Sequence, residues 1–236
     1  MLCEKFPQIT IKYEHFGANL GSAGGHNKLA ASATSDFLLV QNPDVVPSPR
    51  LLENLISRFV DKSVGLVEAK QLPIEHPKEY DETTGDTSWA STASALVHRD
   101  TFERLNGFDD DTFFLYCDDV DFSWRVREVG LRVVYQPSAV VFHDKRLTMD
   151  GTWQTNASER YYSAEAALLL TYKWSRQDLT EAVLNDFSTS GDEFQKKAAR
   201  EFERRRAANA LPSQRDPEHK IAQFINGNYA KHRYAL

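Results

Sequence analysis

Asn19-Leu20-Gly21-Ser22-Ala23-Gly24-Gly25-His26-Asn27 is a glycine-rich turn that leads into Lys28-Leu29-Ala30-Ala31-Ser32-Ala33. Before it, Ile9-Thr10-Ile11-Lys12-Tyr13 alternates with the period of a strand, and after it Phe37-Leu38-Leu39-Val40 is the short apolar run of a buried strand. The three pieces read as a βαβ unit. The alternation continues along the chain, so the expectation is an α/β fold with a mostly parallel sheet flanked by helices.

Working outward, Ser48-Pro49 reads as a helix start with Pro at the first position, and Leu51, Leu52, Leu55, Ile56 and Phe59 as its buried stripe. Val64 to Val67 and Ala95 to Val97 are further strands, and the polar stretch Pro73 to Asp86 between them reads as a mobile loop. Asp100-Thr101-Phe102-Glu103 has the spacing of a capping box. Val133-Val134-Tyr135 and Ala139-Val140-Val141-Phe142 read as two strands around a turn at Pro137, with His143-Asp144 directly after. Ser158 to Trp174 is helical in pattern, and so is the charged segment Asp192 to Ala210, whose solvated face is held by pairs such as Glu201 with Arg205. An anionic-membrane or partner surface is the alternative reading of that basic run.

The 236 residues are 41% hydrophobic and 26% charged, enough to bury the core of one soluble domain with a small appendage. A net charge of -6 argues against a sequence-independent nucleic-acid binder. Cys3 and Cys117 are far apart and lack metal-ligand spacing, which fits a reducing compartment. The first residues have no signal-peptide pattern and no stretch reaches the length of a membrane span, so a cytoplasmic location is expected, with peripheral contact at the inner face of the membrane allowed.

The chemistry concentrates in Phe113-Phe114-Leu115-Tyr116-Cys117-Asp118-Asp119-Val120-Asp121-Phe122-Ser123-Trp124-Arg125. Carboxylates crowded beside aromatic residues cost free energy through repulsion and desolvation, which points to a base or a metal ligand. The same residues also read as a helix start: Asp118 or Asp119 caps the first turn, Asp121 pairs with Arg125, and Phe122, Val126 and Val129 face the core. Asp119 is the better functional candidate because Asp121 already has a partner.

These signals fall in one order. Asn19-Leu20-Gly21 with Gly24-Gly25-His26-Asn27, Leu38 to Asp44, Gly107-Phe108-Asp109, Phe113 to Asp121 with Trp124-Arg125, and Val140-Val141-Phe142-His143 resemble the family 2 glycosyltransferases, rhamnosyltransferase-like members in particular. The resemblance covers Leu2 to Trp174. It implies a GT-A domain over residues 1–174, with residues 175–236 as a helical C-terminal extension. It also implies transfer of a sugar, such as rhamnose, from a nucleotide-diphosphate donor, with inversion, to a hydroxyl of a surface polysaccharide or lipid-linked glycan.

The resemblance gives Asp119 the role of general base, and places Asp118, Trp89 and Trp124 beside it as acceptor or base-supporting residues. It assigns Asn19, Gly21, Asn27, Asn42 and Asp44 to the donor, and Asp44 with His143 to a divalent cation, Mg2+ or Mn2+. Asn42 stands where the family motif has an acid, which leaves that site one charge poorer. Family members open with a strand, helix and strand that contact the nucleotide base. Here Met1-Leu2-Cys3-Glu4-Lys5-Phe6-Pro7 corresponds to a point inside the following helix. The implied consequences are direct pairing of Ile9 to Tyr13 with Phe37 to Val40 or else an open sheet edge, which invites a homodimer or partner chain that completes the sheet, and poor donor binding. The rival reading is a glycan-binding or scaffold protein that has lost its donor half-site.

Overall fold

The computed structural model describes residues 7–75, 78–144, 155–225 and 227–230. Met1 to Phe6, with Cys3 and the expectation about the chain's opening, lie outside them. The elements in chain order are α1 (Gly21–Ala30), β1 (Phe37–Gln41), β2 (Val45–Pro47), α2 (Leu51–Ile56), β3 (Val64–Leu72), β4 (Ser94–His98) and α3 (Arg99–Arg104). They continue with α4 (Asp118–Glu128), β5 (Arg132–His143), α5 (Ala157–Lys173), α6 (Gln177–Thr189) and α7 (Glu193–Ala207).

The strands form a single sheet in the order β1-β4-β3-β5-β2. Its core strands are apolar on both faces because both are covered. Leu66, Val97 and Val133 turn toward Ala23, Phe102, Phe108 and Phe122, whereas their neighbours Val67, Leu96 and Val134 turn toward Leu51, Leu55 and Phe59. Fully burying a side chain such as Phe122 contributes roughly 1.5–3 kcal/mol. A third apolar cluster joins α5, α6 and α7 to Trp89, Phe113, Val120 and Trp124.

The expected mostly parallel sheet is corrected to a mixed one. Among the described residues only β3 and β5 pair in parallel; β1 with β4, β3 with β4, and β2 with β5 are antiparallel. A strand buried on both faces reads as the same apolar run in either direction, so the sequence pattern does not carry the sense of pairing. The βαβ unit is corrected too. Residues 9–13 form no strand, with Ile9 and Tyr13 exposed, and β1 pairs with β4 alone among the described residues. Alternation supplies a strand with a face but not with a neighbour to bond. On its other side β1 has no strand partner among the described residues.

Other elements differ in detail. Only Leu51, Leu55 and Phe59 of the α2 stripe are buried, while Leu52 and Ile56 are exposed. That helix begins at Leu51 and ends after two turns in a 3-10 segment, Ser57–Val60. The Asp100 capping box does not form: α3 starts one residue earlier, and Glu103 pairs with Arg99 at 2.8 Å instead. Val129 is exposed, outside the core face of α4. The two strands around Pro137 are one strand, β5, whose ladder skips from Gln136 to Val140; proline, without an N–H, sits in the irregularity. Within the expected mobile loop, the Asp81 carboxylate accepts the Thr83 and Thr84 amides at 2.9 and 2.7 Å, and Lys78 reaches inward to the buried Glu68. The Glu201–Arg205 pair forms at 3.0 Å. No helix among the described residues is long and apolar enough to cross a membrane.

Candidate functional site

α4 begins from two successive non-glycine residues in the left-handed region, Tyr116 at φ 68 and Cys117 at φ 58. Each such residue costs on the order of 1 kcal/mol or more, and the surrounding packing must hold it. The turn is braced from α1. The Ser22 amide donates to the Phe114 carbonyl at 2.9 Å, and Gly21 at φ +72 lies so close that a Cβ there would collide with that carbonyl. Gly21 is therefore required by close backbone approach.

The brace also sets the electrostatics. Asp118 is 3% exposed, and its carboxylate accepts the Ser22 hydroxyl at 3.0 Å. Burial, and then the neighbouring Asp119 charge, push the Asp118 carboxyl up to about 7, with Ser22 opposing in part. Asp119 is half-buried; its carboxylate accepts the Val120 amide at 2.9 Å and its carbonyl accepts the Ser123 hydroxyl at 2.7 Å. Of the two, Asp119 is the more exposed. Asp121 is fully buried and saturated: Arg125 Nε lies at 2.8 Å, Lys173 Nζ at 2.6 Å, and Trp174 Nε1 donates at 3.1 Å. Lys173 also holds Asp109 at 2.5 Å; burial alone would raise the Asp109 carboxyl, but Lys173 and Thr112 outweigh it and keep it low.

Asp44 and His143, implied as cation ligands, do meet. β2 pairs with β5 so that Val45 lies opposite His143, which puts the preceding Asp44 carboxylate 3.4 Å from His143 Nε2. On the far side of the ring, His143 Nδ1 lies 2.7 Å from the Gln71 amide oxygen, a geometry that makes Nδ1 the protonated nitrogen and turns Nε2 toward Asp44. Among the described residues no group of three or more His, Cys, Asp or Glu side chains is placed to hold a metal. A carboxylate and an imidazole nitrogen nevertheless fit a cation that takes its remaining ligands from diphosphate oxygens and water.

A groove of about 680 Å³ runs along the open side of β1 and α1, with Gly21, Ser22, His26, Leu39 and Asn42 in its wall. It brings Gly21 and Asn42 together and touches the carboxylate pair through Ser22. Other residues implied as donor ligands make contacts within the fold. The Asn19 side chain accepts the Gly21 amide at 3.0 Å. Asn27 brackets the Phe108 backbone, donating to its carbonyl and accepting from its amide at 2.8 Å each, and a Cβ at Gly107 would collide with it.

Trp124 is 0% exposed, edge-on to Trp174 and Phe224, and so packs the core instead of contacting an acceptor. Trp89 is likewise covered, with the Lys78 ammonium 4.0 Å over its ring and Tyr229 against its edge. Ser22 and Gln71 were not evident as site residues: one lies 96 residues from Asp118 and the other 72 from His143, and no local spacing signals such contacts.

The fold is of the GT-A type. Over 89% of the chain it resembles the mannosyltransferase PcManGT from Pyrobaculum calidifontis, in complex with GDP-Man and Mn2+ (TM-score 0.55, 17% identity, 61% of that chain). Over 89% it also resembles GalNAc-T7 with UDP, GalNAc and Mn2+ (TM-score 0.62, 12% identity, 49% of that chain). No family model matches the sequence.

Among curated relatives, the pre-mycofactocin glycosyltransferase of Mycobacterium tuberculosis is 28% identical over 178 residues, 67% of this chain and 37% of the relative. The same organism's N-acetylglucosaminyl-diphospho-decaprenol L-rhamnosyltransferase is 31% identical over 111 residues, 45% of this chain and 36% of the relative. Rhamnosyltransferase WbbL of Escherichia coli is 26% identical over 214 residues, 71% of this chain and 80% of the relative. The chain thus spans less than two fifths of the length of the mycobacterial relatives. The chain is thus similar in sequence to named rhamnosyltransferases and in fold to GT-A glycosyltransferases.

Proposed function

We propose that this chain carries out inverting transfer of a sugar, such as rhamnose, from a nucleotide-diphosphate donor to a hydroxyl of a polysaccharide or lipid-linked glycan. The observation that carries the reading is the half-exposed Asp119 beside the buried Asp118, at a braced helix start next to the groove of Gly21, Ser22 and Asn42. Asp119 takes the proton of the acceptor hydroxyl as its oxygen bonds to the anomeric carbon, and the bond to the leaving diphosphate breaks with its electron pair. Asp118, kept low in charge by burial, lets Asp119 be ionised without a second full charge beside it. Asp44 and His143 would hold a divalent cation, oriented through Gln71, and the cation when bound neutralises charge on the diphosphate.

The test is donor-dependent product formation from nucleotide-diphosphate sugars, together with calorimetry of uridine and thymidine diphosphates with manganese. Metal-dependent nucleotide binding and product formation are expected. Their absence at millimolar ligand would favour the second reading, a glycan-binding scaffold, whose support is the open side of β1 and the unpaired segment 9–13.

A further inference from the structure

Lys78 and Glu68 form a buried ion pair outside the site described above. Their side chains are 3% and 1% exposed, although the segment that carries Lys78 continues into exposed residues from Glu79 to Thr84. Glu68 lies within β3, between Ala95 of β4 and Tyr135 of β5. Burial pushes its carboxyl up to about 7, with Lys78 and the Ser91 amide opposing in part, so the charge is held there at a cost. Packed hydrocarbon of similar volume commonly serves stability as well or better. What hydrocarbon cannot do is donate a hydrogen bond.

Lys78 does donate one. Its Nζ lies 3.0 Å from the Trp89 carbonyl oxygen and 4.0 Å from the centre of the Trp89 ring, which holds that residue from two directions. The next residue carries the contact onward. The Ala90 amide donates to Ser123 Oγ at 2.9 Å, and the Ser123 hydroxyl donates to the Asp119 carbonyl at 2.7 Å. Ala90 and Ser123 are both fully buried, so water does not replace these contacts. The start of α4 is thus tied, at the residue that bears the exposed carboxylate, to a segment whose own place is set by the ion pair.

We propose that Lys78 and Glu68 are positioning residues for sugar transfer: through Trp89, Ala90 and Ser123 they hold the first turn of α4 where Asp119 acts as base. The proposal rests on the glycosyl-transfer reading above. Neither side chain touches a reacting atom, so the pair acts on placement of the base and not on donor binding. A displacement of about 1 Å at a reacting group costs on the order of a hundredfold in rate.

The experiment uses the whole chain at pH 8 and two variants. Lys78→Met combined with Glu68→Met replaces the pair by hydrocarbon of similar volume, and Ser123→Ala cuts the chain of contacts at its other end. Hydrogen exchange at the Ala90 amide is expected to speed up by about tenfold or more in each variant, while the Val97 amide of β4 keeps the parental rate. With the donor and acceptor that give product in the assay above, kcat should fall by about tenfold to a hundredfold, and KM for the donor should stay within about twofold. Melting curves report whether each variant folds, and Ser123→Ala covers the case in which the double variant does not.

A folded variant with parental kcat, or with parental exchange at Ala90, would overturn the inference and leave the transfer reading standing. A rise in donor KM together with a fall in melting temperature would overturn it too, as the mark of a merely structural pair. No product from the parent chain, with Ala90 exchange raised in both variants, would instead overturn the transfer reading and support the linkage from Lys78 to Asp119.

Discussion

Asp118 and Asp121, both in the first turn of α4, are the same chemical group under opposite conditions. Asp121 is buried against two cations and an indole N–H, so its charge is matched and its geometry fixed on all sides. Asp118 is almost as deeply buried, but beside backbone amides it meets a serine hydroxyl and another carboxylate, and its carboxyl is pushed up to about 7. Three residues separate a carboxylate that serves stability from a pair kept poised at a cost in stability. A carboxyl raised by burial and a like charge is a candidate for function, whereas one matched by two cations is accounted for by stability.

Exchanging the two roles is the most direct way to break the comparison. Asp119→Asn should lower transfer on the order of a hundredfold to ten-thousandfold with the melting temperature little changed. A folded variant that keeps a tenth or so of the rate would remove Asp119 from the mechanism. Asp121→Ala should act the other way: Lys173 and Arg125 are left buried without their carboxylate, and denaturant titration should show a loss of about 3–5 kcal/mol.

A smaller effect is expected at the second cluster. Gln71→Ala releases the ring that faces Asp44, and divalent-cation affinity should fall by roughly tenfold to a hundredfold, with acceptor binding unaffected, as measured by manganese titration. Asp44→Ala should weaken both the cation and the diphosphate. Retained activity after chelation, with metal removal verified by elemental analysis, would dispose of the cation.

The smallest effect sharpens the contrast through pH. The Asp118 carboxyl sits at about 7 in the folded chain against an ordinary value of 3.8. Between these values the folded state holds a proton that the unfolded state has released, so stability falls as pH rises and levels off above about 7. Asp118→Asn removes that slope. The variant should be more stable than the parent by roughly 1 kcal/mol or more at pH 8, with the advantage shrinking toward pH 5. Thermal melts that differ by the same amount at both pH values would show that Asp118 is not held protonated by its surroundings.

The carboxylate cluster was legible because its signal is local. Asp121 and Arg125 lie one helical turn apart, and the aromatic residues around them announce burial in the sequence itself. The pairing of Asp44 with His143 was legible only through the order of motifs, since 99 positions separate them and a strand register closes the distance. Asn27 shows the limit of that route. Its place in a recognisable motif suggests a ligand contact, yet both ends of its amide are consumed by the Phe108 backbone.

What the sequence by itself determined is the set of elements with strong local periodicity, the compact acidic cluster and the class of fold, because side-chain burial leaves a periodic trace along the chain. What only the tertiary structure decided is the sense of strand pairing, the failure of residues 9–13 to become a strand, and the different surroundings of Asp118, Asp119 and Asp121. Those depend on which groups arrive from far along the chain, such as Ser22, Lys173 and Gln71, and the energy of a buried charge is set by these neighbours rather than by the residue that carries it.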